Sequence, residues 1–239
     1  MNQYICTNRS LSYQEHVQSI LEEKEKQIKD FFQVPEEESF SFQIYIYDTI
    51  EDLVNGLHQR GFSNFPSYMC ACQKDEDNSL NFFEPKDYPN EHEWSKKEYD
   101  KVIFHEEIHA IQYAIYGTQP EWLTEGIAVY LDGTYQKGIK YLLENYIDLE
   151  HLPSMYELEY EFGMHEYDSY DYAYLMVCYL IEKMGKDKFL IAIKSKENIE
   201  LLSEDLVLKS VNYFCNKYHC NIESDHLIES TYNSNNSLV

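Results

Sequence analysis

The sequence predicts an α+β fold, in which a small, mostly antiparallel N-terminal sheet packs on a mainly helical half. Apolar and polar residues alternate over 40–47, as in a half-buried strand. Two shorter strand candidates, 67–72 and 80–83, lie on either side of the polar turn KDEDN. From Ser95 onward the apolar residues recur at helical spacing instead.

Capping residues predict where the helices of the N-terminal part begin. Ser12 and Glu15 form a capping-box pattern, followed by an apolar stripe that reaches Ile28. Thr49 and Asp52 begin a short helix, which should stop before Gly61. A helix therefore precedes the first predicted strand, and a second one follows it.

Further caps and glycines delimit the helices of the second half. Ser95 and Glu98 cap a helix that ends at Gly117. Thr118 and Glu121 predict another capping box, with Pro120 in the first turn and an end at Gly133. Four more helices are predicted, at 138–146, 168–184, 187–194 and 199–218.

The charge of the chain limits its partners. Among 239 residues, 19 Lys and Arg stand against 43 Asp and Glu, for a net charge of −24. Nucleic acids and anionic membranes bind proteins through positive charge, so neither is an expected partner. The charge favours cationic or neutral partners, or only keeps the chain in solution.

The N-terminus and the cysteines predict a soluble, cytoplasmic protein. No basic start followed by an apolar stretch marks a secretory signal, and the longest apolar run, 172–181, is half a membrane span. The six cysteines include no CxxC pair, so we expect reduced thiols. A metal pair at Cys70 and Cys72 is an alternative to simple packing.

The segment HEEIH, residues 105–109, carries the chemistry. It fits HExxH within a predicted helix, and the i, i+4 spacing puts the imidazoles of His105 and His109 on one face, where they can share a metal. Glu106 lies beside the first histidine and can reach a metal-bound water without being a ligand. The alternative is a pair of surface histidines on an acidic helix.

Spacing also indicates a third ligand. Gly117 follows His109 by eight residues, and Glu125 follows Gly117 by eight. If the chain turns at the glycine, each leg rises about 12 Å and Glu125 returns to the level of His109. Two imidazoles and one carboxylate leave a fourth position open, as in catalytic zinc sites.

Residues 121–131, EWLTEGIAVYL, resemble the WxxEGxAxY segment of gluzincin zinc metallopeptidases, both the small peptidase MA-like domains and the zinc aminopeptidase catalytic domain. The resemblance, over about residues 35–195, implies a zincin-like helical half with its metal in the cleft beside the sheet. It implies one Zn²⁺ per chain, with Glu125 as third ligand. It also implies that an oxyanion-binding tyrosine lies nine residues before Tyr179, which is Tyr170; Tyr172 remains an alternative, and His165 could assist.

The resemblance implies a metallopeptidase that hydrolyses peptide bonds in peptides or proteins through a zinc-bound water activated by Glu106. Aminopeptidase activity is not expected, because the stretch SYMCACQ at 67–73 carries no acid where those enzymes bind the substrate amine. Two alternatives stay open: a zinc-binding but catalytically silent module of the same fold, and an acidic interaction protein without metal. The oligomeric state is left open.

The sequence pattern and the resemblance together predict four parts of the chain. Residues 1–34 form an N-terminal helix, and 35–197 form the peptidase MA-like domain. Residues 198–229 form a C-terminal helical extension, and the low-complexity tail 230–239 is expected to be disordered.

Overall fold

The α+β class is confirmed by a computed structural model, whose described residues are mainly helical and include a four-stranded sheet. The chain forms two compact units, Met1–Gln119 and Pro120–Val239. The structure describes residues 2–6, 11–63, 71–74, 78–84, 96–165, 167–194 and 205–220.

The described residues of the first unit form the sheet and three helices. In chain order these are β1 (Gln3–Cys6), α1 (Leu11–Phe32), β2 (Gln43–Tyr47), α2 (Ile50–Gln59), β3 (Cys72–Lys74), β4 (Ser79–Phe83) and α3 (Lys96–Tyr116). The strand order is β1-β2-β4-β3. Ile44, Ile46, Leu80 and Phe82 are at most 1% exposed, so the two central strands carry the core of this unit.

The expectation of a mostly antiparallel sheet was wrong. β2 is parallel to both β1 and β4, and only β3 and β4 pair antiparallel among the described strands. The reason is in the connections. α1 lies between β1 and β2, and such a helical crossover brings the chain back to the same end of the sheet, which makes the two strands parallel. Between β2 and β4 the chain passes through α2 and then β3, and because β3 runs opposite to β4, β4 again runs in the direction of β2.

Several predicted helix ends in this unit are confirmed. The Thr49 hydroxyl accepts a hydrogen bond from the backbone N–H of Asp52 at 3.1 Å and begins α2. α3 ends at Tyr116, and Gly117 follows with a φ of 67°, where glycine is favoured. The Ser12 side chain, Ser95 and residues 67–70 of a predicted strand lie outside the described residues.

The second unit is helical throughout the part that is described. Its elements are α4 (Glu121–Asp132), α5 (Gly138–Asn145), α6 (Met155–Tyr160), α7 (Ser169–Met184), α8 (Lys186–Ile193) and α9 (Leu206–Tyr218). α6 was not predicted, although Ser154 and Glu157 form a capping box at its start. Residues 199–204 of the last predicted helix and the tail 221–239 lie outside the described residues.

The predicted capping box of Thr118 and Glu121 was also wrong. α4 begins at Glu121, and its N-cap is Pro120, which makes no side-chain cap bond. Thr118 therefore lies two residues before the N-cap, too early to cap the first turn. The hydroxyl of Thr124 donates instead to the carbonyl oxygen of Pro120 at 3.2 Å, and α4 ends before Gly133 as predicted.

The described cysteines are thiols, and the described helices are too short or too polar to span a membrane. Cys6, Cys72, Cys178, Cys215 and Cys220 carry thiols rather than disulfides, and Cys70 lies outside the described residues. None of the described helices combines the length and the apolar character needed to cross a bilayer.

Candidate metal centre

Two histidines of the HEEIH segment lie together on α3. The ring centroids of His105 and His109 are 4.6 Å apart, with the rings nearly perpendicular at 85°. Ile103 and Ile108 are fully buried and hold the helix in the first unit. His109 is 9% exposed and His105 is half-buried, so one ring lies in the protein interior and the other borders it.

Glu125 lies in the middle of α4. The buried residues Trp122, Leu123, Ile127 and Ala128 anchor this helix, while Glu125 itself is half-buried. Trp122 is 1% exposed and belongs to the core of the second unit. The carboxylate is thus carried by a helix whose other faces are packed.

The three predicted ligands come together. One donor atom from each of His105, His109 and Glu125 lies within 4.8 Å of the corresponding atoms of the other two. Imidazole nitrogens with one carboxylate oxygen are a donor set that suits zinc and related divalent ions. The residues present therefore fit a metal ion.

Glu106 is held by the sheet. Its Oε2 accepts a hydrogen bond from the backbone N–H of Gln73 in β3, at 2.7 Å. Glu106 is half-buried, and its side chain leaves the helix about 100° around the axis from that of His105. This bond orients the carboxylate, and nothing in the sequence pattern indicated it.

Glu107, the other acid of the segment, is buried in the first unit. It is 4% exposed, and its Oε2 has no hydrogen-bond partner among the described atoms. Burial, and secondarily the negative charge of Glu25, raises the pKa of Glu107 well above its ordinary value. Burial therefore favours the neutral form of this carboxyl, which lies in the interior of the first unit.

The two candidate tyrosines are placed differently by α7. Tyr172 is 1% exposed, and its hydroxyl donates to the carbonyl oxygen of Asp148 and accepts from the same residue's N–H, both at 3.2 Å. Tyr170, in the first turn, is half-buried, and its ring meets Phe162 edge-on at 5.0 Å. This placement favours Tyr170 for contact with a substrate.

His165 is held by two acids in the loop before α7. Its Nε2 lies 2.8 Å from Glu161 and 3.7 Å from Glu157. The histidine is exposed and forms part of this surface network, so its contacts are those of a structural residue.

One buried pair beside Tyr170 was missed by the sequence reasoning. The hydroxyl of Tyr135 donates to Oδ1 of Asp171 at 2.5 Å, and the Tyr135 ring stacks on Tyr174 with centroids 4.5 Å apart. Asp171 is 4% exposed, and burial raises its pKa to about 6. The bond joins the turn after α4 to the first turn of α7, and no local spacing could have indicated it.

Comparison with known proteins agrees with this geometry. Residues 83–208 match the peptidase MA superfamily, and the chain belongs to that superfamily. The match spans HEEIH, Glu125 and Tyr170. No curated protein matches the chain. The fold and the site thus define a peptidase-superfamily protein with a cluster of residues suited to a metal.

Proposed function

We propose that the protein is a zinc-dependent metallopeptidase of the gluzincin kind, which binds one Zn²⁺ through His105, His109 and Glu125. The observation that carries the proposal is the cluster of their donor atoms within 4.8 Å, in a chain of the peptidase MA superfamily. With three protein ligands, a fourth position stays open for chemistry, as in catalytic rather than structural zinc sites.

The residues around this cluster have complementary tasks. A zinc ion held there supplies Lewis acidity, which stabilises negative charge on a peptide carbonyl. Glu106 accepts a proton from the attacking water and passes it to the leaving amine, a role that contributes about 10²- to 10⁴-fold in rate. The hydroxyl of Tyr170 donates to the carbonyl oxygen as it becomes negative, a contact of about 3 kcal/mol in comparable sites.

The substrate class we propose is a peptide or protein. The net charge of −24 supports a cationic or neutral substrate and argues against nucleic acid or an anionic membrane as partner. A cytoplasmic location is part of the same proposal, supported by the thiol state of the described cysteines.

Replacing Glu106 by Gln tests the proposal. Gln keeps the size of the side chain but accepts no proton, so we expect zinc at wild-type stoichiometry and peptide cleavage lowered at least about a hundredfold. Glu107→Gln is the matched control in the same segment. Glu107 lies about 200° around the helix from His105, so this variant should cleave as the wild type does.

Two outcomes would contradict the proposal. Wild-type cleavage by Glu106→Gln would assign the measured activity to another site or to a contaminant. A wild-type protein that holds zinc and binds peptides, yet cleaves no member of a broad peptide library, would support the catalytically silent module instead.

A further inference from the structure

A chain of hydrogen bonds runs through the sheet of the first unit. It begins at Arg60, which follows α2 and lies over the ring of Tyr45 at 3.8 Å. One guanidinium nitrogen of Arg60 donates to Oδ1 of Asn81, and the other donates to the hydroxyl of Ser79 at 3.1 Å. Asn81 lies within β4 and is fully buried. A cation is thus bonded to an amide in the interior of the sheet.

The chain continues from Asn81 to the edge strand β3. Nδ2 of Asn81 donates to the backbone carbonyl oxygen of Cys72 at 3.1 Å. That carbonyl belongs to the same peptide group as the N–H of Gln73, which donates to Glu106 at 2.7 Å. Because a peptide group is planar, holding its carbonyl also sets the direction of its N–H.

All the hydrogen bonds of this series run in the same direction, from Arg60 toward Glu106. The positive guanidinium donates to the amide, the amide donates to the peptide group, and the peptide group donates to the carboxylate of Glu106. Hydrogen bonds aligned in this manner polarise one another, and the effect is larger in a buried, low-dielectric setting. The last acceptor therefore receives a stronger and better-directed bond than an isolated edge-strand N–H would provide.

The short edge strand explains why such support is needed. β3 has three residues, and the N–H of Gln73 donates to Glu106. So short a strand has few ladder bonds to define the tilt of its peptide groups. The Asn81 side chain adds a bond at the peptide group that donates to Glu106.

We infer that Arg60 and Asn81 are positioning residues for Glu106, acting through the Cys72–Gln73 peptide group. The inference rests on the proposed function, since it assumes that Glu106 is the general base. Burying an amide in a sheet is costly unless its groups are bonded, and here both ends of the Asn81 amide are bonded.

Asn81→Asp separates this role from general stability. Asp has the same shape and still accepts from Arg60, but a carboxylate cannot donate to the Cys72 carbonyl. We expect the zinc content to stay near that of the wild type and the unfolding midpoint to fall, because the Cys72 carbonyl loses this donor, so kinetics are measured under conditions where the variant is fully folded. The value of kcat should fall about three- to tenfold, the loss of one hydrogen bond, with little change in KM.

A readout without catalysis uses the zinc-free protein. The amide of Gln73 should exchange with deuterium slowly in the wild type and faster in Asn81→Asp, because the peptide group is then less well held. Asn78→Asp is the matched control. It makes the same change at an exposed amide, which donates to the Ser41 carbonyl oxygen and takes no part in this series of bonds, so kcat and Gln73 exchange should both be unchanged.

A double-mutant cycle with Glu106→Gln decides whether the effect passes through Glu106. The loss caused by Asn81→Asp should disappear in the Glu106→Gln background. Wild-type kcat in folded, zinc-loaded Asn81→Asp, or an equal loss in both backgrounds, would overturn the inference. If Asn81→Asp does not fold, Arg60→Gln takes its place in the cycle, with the same expected and overturning results.

Failure of the proposed function would be recognised separately. In that case Glu106→Gln alone would cleave as the wild type does. Faster exchange of Gln73 in Asn81→Asp would still support the hydrogen-bond chain, and unchanged exchange would overturn it.

Discussion

Gly126 follows Glu125 directly, and its missing side chain lets α4 approach α7 closely. A Cβ atom at position 126 would lie 2.6 Å from the carbonyl oxygen of Ala173 and 2.9 Å from its carbonyl carbon. It would also lie 2.8 Å from a methyl group of Val177. Two of these three atoms are backbone, so Gly126→Ala requires the two helices to move apart.

Two opposing effects set the magnitude for Gly126→Ala. Ala is favoured over Gly within a helix by about 1 kcal/mol. Overpacking a buried contact costs about 1–3 kcal/mol, and more where backbone must shift. Contacts below 3 Å to a carbonyl group put this site at or above the upper end, so overpacking wins. We expect a net loss of about 2 kcal/mol in the free energy of unfolding.

The assay is urea unfolding of the zinc-free protein, with zinc affinity measured separately. Zinc affinity should also fall, because a displaced α4 carries Glu125 with it. Glu121→Ala is the control on the same helix: the residue is exposed, so its effect should stay within about 0.5 kcal/mol. Gly126→Ala with unfolding free energy equal to or above that of the wild type would refute the argument from close packing.

Three further predictions concern the ligands, the tyrosines and pH. Purified protein should hold about one zinc per chain by metal analysis. The variants His105→Ala, His109→Ala and Glu125→Ala should each lose most of this zinc, and full zinc occupancy in Glu125→Ala would show that Glu125 is not a ligand. Tyr170→Phe should keep zinc and lower kcat more than it raises KM. Tyr172→Phe should lower the melting temperature and leave kcat unchanged. The reverse pattern would show that Tyr172, not Tyr170, stabilises the oxyanion. Burial raises the pKa of Asp171 from 3.8 to about 6 in the folded protein. The folded state therefore favours the neutral carboxyl, and the stability that this form contributes is fully present below pH 3.8 and is lost as the pH rises through about 6. Asp171→Asn should therefore match the wild type in stability at pH 3.5 and exceed it at pH 8 by up to about 3 kcal/mol in urea unfolding, and a difference independent of pH would contradict this account.

Local spacing was sufficient for much of the fold and for the metal cluster. The i, i+4 relation of His105 and His109 follows from helix geometry alone. Glu125 was related to them by assuming two equal helical legs around Gly117. In the structure α3 ends at Tyr116 and α4 begins at Glu121, so the helical leg that leads to Glu125 is shorter than the one that follows His109. The ends at Gly117 and Gly133 were predicted because a positive φ is a local property that glycine tolerates best.

Other features depend on contacts between distant parts of the chain. The parallel pairing of β1 with β2 and of β2 with β4 arises from the path of the chain between the strands, which alternation of residue types does not encode. The four-residue β1 is too short for its pattern to stand out, and it is held by its neighbour in the sheet.

The hydrogen-bond partners of the candidate catalytic groups also depend on contacts between distant parts of the chain. Gln73 and Glu106 are 33 positions apart, and Tyr135 and Asp171 are 36 apart. These hydrogen bonds join separate elements, so only the packing of those elements could reveal them. Residue types and short spacings thus indicated the groups that we propose bind metal and transfer protons. Tertiary packing decided how those groups are held, because hydrogen-bond partners and burial arise from contacts that close long loops.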